Sequence, residues 1–106
     1  MRRDERVGAV FAALADPTRR ELLDRLARTP ANATELAAPL PVSRQAVVKH
    51  LQALSEAGLV AGERHGREVR WSVTPGPLAD AMSWMVDVGG QWDRRLARLK
   101  THLARK

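Results

Sequence analysis

The chain has 106 residues, 44% hydrophobic and 28% charged, which excludes a disordered chain and predicts one modest globular domain. Its 18 lysines and arginines exceed its 12 acidic residues, and the net charge of +6 favours a polyanionic partner, nucleic acid before an acidic membrane surface. It has no cysteine, which excludes disulfides and thiolate metal sites, and no apolar run long enough for a signal peptide or a membrane span, so we expect a soluble cytoplasmic protein. An arginine-rich surface without any polyanionic partner would give the same charge balance.

Helical periodicity dominates the first part of the chain. Four apolar residues recur at the i, i+3, i+4, i+7 spacing and predict a first helix: Val7, Val10, Phe11 and Leu14. The stretch "ADPTRRELLDRLA" predicts a second helix, with Asp16 as its N-cap and Pro17 at its first position, where a missing N–H costs nothing. Its buried stripe is predicted to be Leu22, Leu23 and Leu26.

Residues 32–58 have the pattern of a helix-turn-helix. Asn32 and Glu35 have the spacing of a capping box at the start of a short helix, and the two prolines of "APLP" end that helix. A longer helix is predicted to begin after Ser43 as N-cap and to end at Gly58. Its buried stripe is Val47, Leu51 and Leu54. A short helix, a turn and a longer capped helix together make a helix-turn-helix.

The period then changes from helical to alternating. In residues 59–74, Val69, Trp71 and Val73 are expected on one face of a strand, with polar residues on the other face. His65-Gly66 is expected to form the turn, so these residues predict a β-hairpin, the wing that follows a recognition helix.

A long last helix is predicted over residues 76–104, beginning at Gly76-Pro77. It carries a heptad seam of apolar residues that a small domain cannot bury alone, which predicts a partner helix from a second copy. The residues predicted for dimerisation, two of them from the first helix, are Val7, Phe11, Leu78, Met82, Met85, Trp92, Leu96, Leu99 and Leu103. Gly89-Gly90 leaves two interpretations open: a close approach or bend at the dimer axis, or a break between two shorter helices.

The outward face of the helix after Ser43 is suited to reading DNA. Arg44 matches the acceptors of guanine, Gln45 matches adenine, and the methyl groups of Val48 can pack on thymine. The residues predicted to contact DNA are Ser43, Arg44, Gln45, Val48, Lys49, His50 and Gln52 of the helix, and Arg64, Arg67 and Arg70 of the wing. A merely solvated basic face remains the alternative, and for His50 so does simple packing beside the buried stripe.

Catalytic and metal-binding patterns are weak. The histidines His50, His65 and His102 lie on different predicted elements, and no phosphate loop or nucleophile motif accompanies them, so we expect no enzyme and no cofactor. The basic tail "RRLARLKTHLARK" is interpreted as the solvated side of the last helix, or else as a second phosphate contact or a membrane-surface stripe. Trp84 and Trp92 are interpreted as packing residues, with a small-molecule pocket between them as the alternative.

Three stretches together resemble the ArsR/SmtB-type winged-helix repressors of bacteria: "ALADPTRRELLDRL", "TELAAPLPVSRQAVVKHLQALSEAGLV" and "GREVRWSVTP". The resemblance covers roughly residues 7–75 and implies that the helix after Ser43 reads DNA. It also implies a homodimer that binds a palindromic operator and represses transcription until an inducer, here unidentified, releases it. Metal-sensing members carry a Cys-x-Cys pair where this chain has Ala37 and Ala38, which points to a branch that does not sense metals.

The sequence therefore predicts a mainly α-helical fold with a β-hairpin wing, in the order α-α-α-α-β-β-α, dimerising through its terminal helices. Residues 1–106 are interpreted as a single winged-helix DNA-binding domain, acting as a transcriptional repressor. Two alternatives stay open. One is a metal- or small-ligand-responsive sensor of the same fold, and the other is a winged helix used only for protein–protein assembly.

Overall fold

The computed structural model describes residues 2–104; Met1 and the last two residues of the basic tail, Arg105 and Lys106, lie outside the described part. It confirms a mainly helical winged helix-turn-helix. The elements in chain order are α1 (Arg3–Ala13), α2 (Pro17–Arg28), β1 (Ala31–Asn32), α3 (Ala33–Ala37), α4 (Arg44–Glu56), β2 (Val60–His65), β3 (Glu68–Val73) and α5 (Pro75–Ala104).

The helix starts lie where the capping residues predicted them. The Asp16 carboxylate accepts hydrogen bonds from the backbone N–H groups of Thr18 and Arg19, with Pro17 in the first turn of α2. Asn32 and Glu35 form the complete reciprocal capping box of α3. These side chains satisfy N–H groups that have no partner inside the helix, which fixes where each helix begins.

Both ends of α4 are also as predicted. The Ser43 hydroxyl accepts a hydrogen bond from the N–H of Ala46, which defines the start of the helix. After the helix, Gly58 has a φ of +77°, and the N–H of Leu59 donates to the carbonyl of Leu54 at 2.9 Å. This 6→1 hydrogen bond is that of a Schellman C-cap, for which glycine at the positive-φ position is favoured.

The wing is a hairpin within a three-stranded antiparallel sheet of order β1-β3-β2. The predicted turn is wrong by one residue, because His65 pairs with Glu68 and leaves Gly66 and Arg67 as the two-residue loop. Gly66 has a φ of +66°, and no non-glycine residue within 2–104 has a positive φ, the pattern of a type II′ hairpin turn. The third strand was not predicted; in it Ala31 pairs with Trp71 and Asn32 with Arg70.

The core lies where α1, α2, α3 and α4 meet the base of the wing. Its fully buried large side chains are Val10, Leu22, Leu36, Val47, Leu51, Leu54 and Leu59. Val7, predicted for the dimer interface, is only 4% exposed and belongs to this core, so it is not available to a second copy. Leu78 is half-buried against the same core. The parts of α1 and α5 that carry Val7 and Leu78 therefore stabilise the single chain.

Helix α5 continues without a break from Pro75 to Ala104, and Gly89-Gly90 does not divide it into two helices. The molecule measures 70 × 31 × 20 Å, and its radius of gyration is 18.7 Å, against about 13 Å for a compact domain of this length. The difference arises because residues 91–104 project from the body, and each of them is exposed.

Candidate nucleic-acid interface

Helix α4 divides the predicted DNA-contact residues from the core. Its buried stripe of Val47, Leu51 and Leu54 packs inward. Five polar residues predicted to contact DNA are exposed to solvent away from this stripe: Ser43, Arg44, Gln45, Lys49 and Gln52. Val48 is half-buried between the stripe and the exposed residues. The structure therefore brings the polar α4 residues together on one accessible helix face.

A groove of about 700 Å³ separates α4 from the wing. Arg44, Val48 and Gln52 line its helix side. The facing side comes from the start of α3 and from the wing: Asn32, Ala33, Thr34, Arg67, Glu68, Val69 and Trp71. The groove thus extends from Arg44 of the helix to Arg67 at the tip of the hairpin.

Arg44 is held within this groove by a neighbour from α3. Its Nε donates a hydrogen bond to Oγ1 of Thr34 at 3.1 Å. Thr34 was not among the predicted site residues, because no sequence pattern marks an exposed threonine two positions after an N-cap. Only the packing of α3 beside the start of α4 places its hydroxyl at Arg44.

The wing arginines fall into two groups. Arg64 and Arg67 are exposed near the hairpin tip, as a DNA-contacting wing requires. Arg70, grouped with them from the sequence, is instead engaged inside the chain: its guanidinium lies 3.2 Å from Glu68 and 3.9 Å from Glu35, and it donates to the carbonyl of Pro30 at 3.4 Å. These acceptors draw Arg70 back toward α3 and away from the hairpin tip, so that its predicted DNA contact would require it to leave them.

Asn32 completes that cluster. Its side-chain amide donates to the Glu68 carboxylate, while its carbonyl oxygen caps α3. The cluster of Asn32, Glu35, Glu68 and Arg70 ties β3 to the start of α3. Because charged hydrogen bonds hold orientation well, it fixes the wing relative to the helix-turn-helix.

His50 lies on the α2 side of α4, apart from the exposed face. It is half-buried, and the Nε of Arg19 donates to its Nδ1 at 3.4 Å. Arg19 also donates to the carbonyl of Ala13 at 3.3 Å. Arg19 therefore ties the His50 ring to α2. Of the two interpretations of His50, this contact favours packing.

Comparison with known proteins identifies the family of the chain. Residues 14–63 match a family model described as a helix-turn-helix domain. The transcriptional repressor SdpR of Bacillus subtilis is 31% identical over 87 residues, covering 82% of this chain and 97% of the relative. An ArsR-like transcriptional regulator from Rhodococcus sp. RHA1 has 44% identity and a TM-score of 0.81, covering 92% of each chain.

The chain belongs to the ArsR family of winged-helix transcriptional regulators. It is accordingly a DNA-binding transcriptional regulator, and α4 with the wing is its candidate interface with DNA. The solution structure of the homodimeric winged helix-turn-helix DNA-binding domain of Mb0332 from Mycobacterium bovis, a possible ArsR-family regulator, has 25% identity and a TM-score of 0.66. It covers 82% of this chain and 81% of that one.

A second surface of this ArsR-family chain is apolar and lies on α5. Trp92, Leu96 and Leu99 are 57%, 50% and 54% exposed. Together with neighbours on the same face they form what we call the α5 seam: Met82, Met85, Trp92, Leu96, Leu99 and Leu103. A row of large apolar side chains open to solvent is typical of an interface rather than of a free surface.

Acidic residues of α5 are paired with α1. Asp87 lies 3.6 Å from the Arg3 guanidinium and Asp80 lies 3.8 Å from that of Arg6.

Within residues 2–104 no three histidine, aspartate or glutamate side chains converge as metal ligands. Trp84 and Trp92 do not enclose a pocket together: Trp84 packs on Phe11, and Arg95 stacks on Trp92 at 5.6 Å. No helix in the described part of the chain has the length and hydropathy to cross a membrane.

Proposed function

We propose that this regulator is a cytoplasmic homodimeric repressor that binds a palindromic operator through the major groove. The observation that carries the proposal is the pairing of two surfaces on one chain: the exposed polar face of α4 and the α5 seam. A dimer made through the seam presents two such faces related by a twofold axis, and a palindrome has the same symmetry.

In this proposal the α4 face contacts the base edges, and contacts to the DNA phosphates fix the position of the protein along the duplex. Arg44 and Gln45, in the first turn of α4, stand where recognition helices place residues against base edges. Arginine pairs with O6 and N7 of guanine, and glutamine with N6 and N7 of adenine. The Ser43-capped helix end favours a phosphate because its free N–H groups and dipole are positive. Contacts to the DNA phosphates come from Lys49, Gln52, Arg64 and Arg67. These contacts weaken as the salt concentration rises.

The α5 seam supplies the dimer. Its 30-residue helix is about 45 Å long, and its second half packs against nothing else in the described chain. Homodimerisation of the Mb0332 domain supports the same assembly here. Phe11 on α1, 40% exposed, borders the seam-bearing helix and belongs to the proposed interface.

Gly89 suggests how the two α5 helices are arranged. It lies near the middle of the seam, between Met85 and Trp92, and a Cβ built there meets no atom within 4 Å. Glycine inside a helix costs about 1 kcal/mol relative to alanine. Because its own chain does not require it, we assign Gly89 to the twofold axis, with the two helices antiparallel and closest at that residue.

The experiment that tests the function is selection of bound duplexes from random DNA by the purified chain. The expected product is a palindrome whose half-site centres lie about 34 Å, or one duplex turn, apart. Affinity for it should fall steeply between 50 and 200 mM salt, a range in which phosphate contacts dominate. If the selection enriches no sequence and the chain shows no salt-dependent binding to any duplex, the result would favour a winged helix used for protein–protein assembly.

The arrangement of α5 can be tested by cross-linking, because the chain has no cysteine of its own. Antiparallel helices predict that Gly89→Cys forms a disulfide-linked dimer, whereas Leu96→Cys alone does not. Mixing Met82→Cys with Leu96→Cys should give a mixed cross-linked dimer. Self-cross-linking of both Gly89→Cys and Leu96→Cys would contradict the antiparallel arrangement and indicate parallel helices.

A further inference from the structure

Arg44 differs from the other residues of the α4 face because a side chain of another helix holds it. From the 3.1 Å hydrogen bond between its Nε and Oγ1 of Thr34, we infer that Thr34 is a positioning residue that aims the end of the Arg44 guanidinium at a guanine of the operator. The inference rests on the proposed function and adds a specificity-determining residue that does not lie on α4.

The stereochemistry of the guanidinium gives the inference its direction. Arginine can present two parallel N–H groups either from its end, Nη1 with Nη2, or from its side, Nε with Nη2. Thr34 occupies Nε, so the side is no longer free for bidentate contact. Nη1 and Nη2 make no hydrogen bond of their own within residues 2–104, and O6 and N7 of guanine offer the matching pair of acceptors.

The backbone end of Arg44 is fixed as well. Arg44 is the first residue of α4, and the preceding Ser43 accepts the hydrogen bond of Ala46 N–H at 3.0 Å. A long arginine side chain loses considerable rotamer freedom when it is ordered. The N-cap at Ser43 and the hydrogen bond from Nε to Thr34 order most of this side chain in the free protein. The entropy cost of ordering it when DNA binds is therefore lower.

The Thr34 hydroxyl is not needed to hold α3 together. The start of that helix is already capped by the reciprocal hydrogen bonds of Asn32 and Glu35, at 2.8 and 3.0 Å. Thr34 is exposed and takes no part in the buried core. Removal of its hydroxyl should therefore leave the fold intact and change only what the hydroxyl contacts.

The test uses Thr34→Val, which keeps the shape of the side chain and removes its hydrogen-bond acceptor. The probe is the duplex that the wild-type chain selects, and the guanine in question is the position whose preference disappears for Arg44→Ala. Thr34→Val should bind this duplex about 3- to 10-fold more weakly, the range expected for one hydrogen bond. Replacing that guanine by 7-deazaguanine, which lacks N7, should weaken wild type more than Thr34→Val.

Two further variants separate positioning from other roles. Thr34→Ser restores the acceptor and should restore both affinity and guanine preference. In an Arg44→Ala background, Thr34→Val should have no further effect. Undiminished guanine preference in Thr34→Val, or an equal loss with and without Arg44, would overturn the inference; the second result would show that Thr34 contacts the DNA itself. Failure of the wild type to select any duplex would instead contradict the proposed function.

Discussion

The ring of Trp84 on α5 packs edge-on against that of Phe11 on α1, with centroids 5.7 Å apart and planes inclined at 69°. The Arg3–Asp87 and Arg6–Asp80 ion pairs lie along the same α1–α5 contact. The first half of α5 is thereby fixed to α1, because an aromatic pair adds to the apolar packing of Val7 and Ala81. The seam residues of both halves, Met82 and Met85 in the first and Trp92, Leu96, Leu99 and Leu103 in the second, stay exposed.

The first prediction concerns the α5 seam. Leu96→Glu should convert the dimer to monomers and weaken operator binding on the order of 100-fold, because an interface buries a charged carboxylate only at high cost. Sedimentation and band shifts measure the two effects. The matched control is Thr101→Glu, which adds the same charge on the opposite side of the helix, where the Thr101 hydroxyl donates to the Ala97 carbonyl of its own helix. An unchanged dimer for Leu96→Glu would remove the seam from the proposed interface.

The second prediction concerns base reading. Arg44→Ala and Gln45→Ala should each lose about 1–3 kcal/mol of binding free energy and relax the preference at one base pair per half-site. Arg98→Ala, which removes the same charge from the projecting part of α5, should leave base preference unchanged. Binding to the selected duplex and to single-base variants gives the measurement. Equal losses on every sequence would show that Arg44 and Gln45 act through charge or backbone contacts alone.

The third prediction concerns the close packing inside the wing. A Cβ built on Gly62 would lie 3.0 Å from Cγ1 of Val69 and 3.1 Å from Cζ3 of Trp71. Gly62→Ala should therefore destabilise the fold by about 1–3 kcal/mol, the usual cost of overpacking. Gly76→Ala, at an open position in the first turn of α5, should not lower stability. Thermal unfolding of the two variants compares the sites, and equal melting temperatures would mean that the wing adjusts freely.

The fourth prediction concerns the N-cap of α2. Burial raises the pKa of the Asp16 carboxyl. Hydrogen bonds from the N–H groups of Arg19 and Thr18, together with the positive charges of His50 and Arg19, lower this pKa by more than burial raises it, so that the net shift is downward. A carboxyl with a lowered folded pKa stabilises the protein above its unfolded pKa, and this contribution is lost as pH falls through the folded value.

Asp16→Ala should accordingly melt several degrees below wild type at pH 7. The difference should shrink as pH falls below 3.8, the ordinary pKa of an aspartate carboxyl. Asp16→Asn should keep most of the cap near neutral pH, because an asparagine carbonyl also accepts N–H hydrogen bonds. A difference between wild type and Asp16→Ala that stays constant down to acid pH would show that the charge of Asp16 contributes nothing.

The sequence alone determined the helix starts, the helix-turn-helix and the hairpin, because these depend on neighbours within a few residues. A cap needs only an acceptor next to the free N–H groups of its own helix, as Ser43 and Asn32 provide. An apolar stripe such as that of α4 needs only the 3.6-residue period. The polar face of α4 follows from the same period, so the exposed part of the candidate site was also predictable.

Tertiary structure decided what depends on partners distant in the chain. β1 exists because Ala31 meets Trp71, a pairing that two residues without alternation do not reveal. Arg70 joins Glu35 and Glu68 rather than the wing tip, and the Thr34 hydroxyl reaches Arg44, because α3 packs between α4 and β3. Local patterns fix which face of an element is apolar or polar, whereas only the packed chain determines which distant acceptor lies within hydrogen-bond distance of each long, flexible arginine.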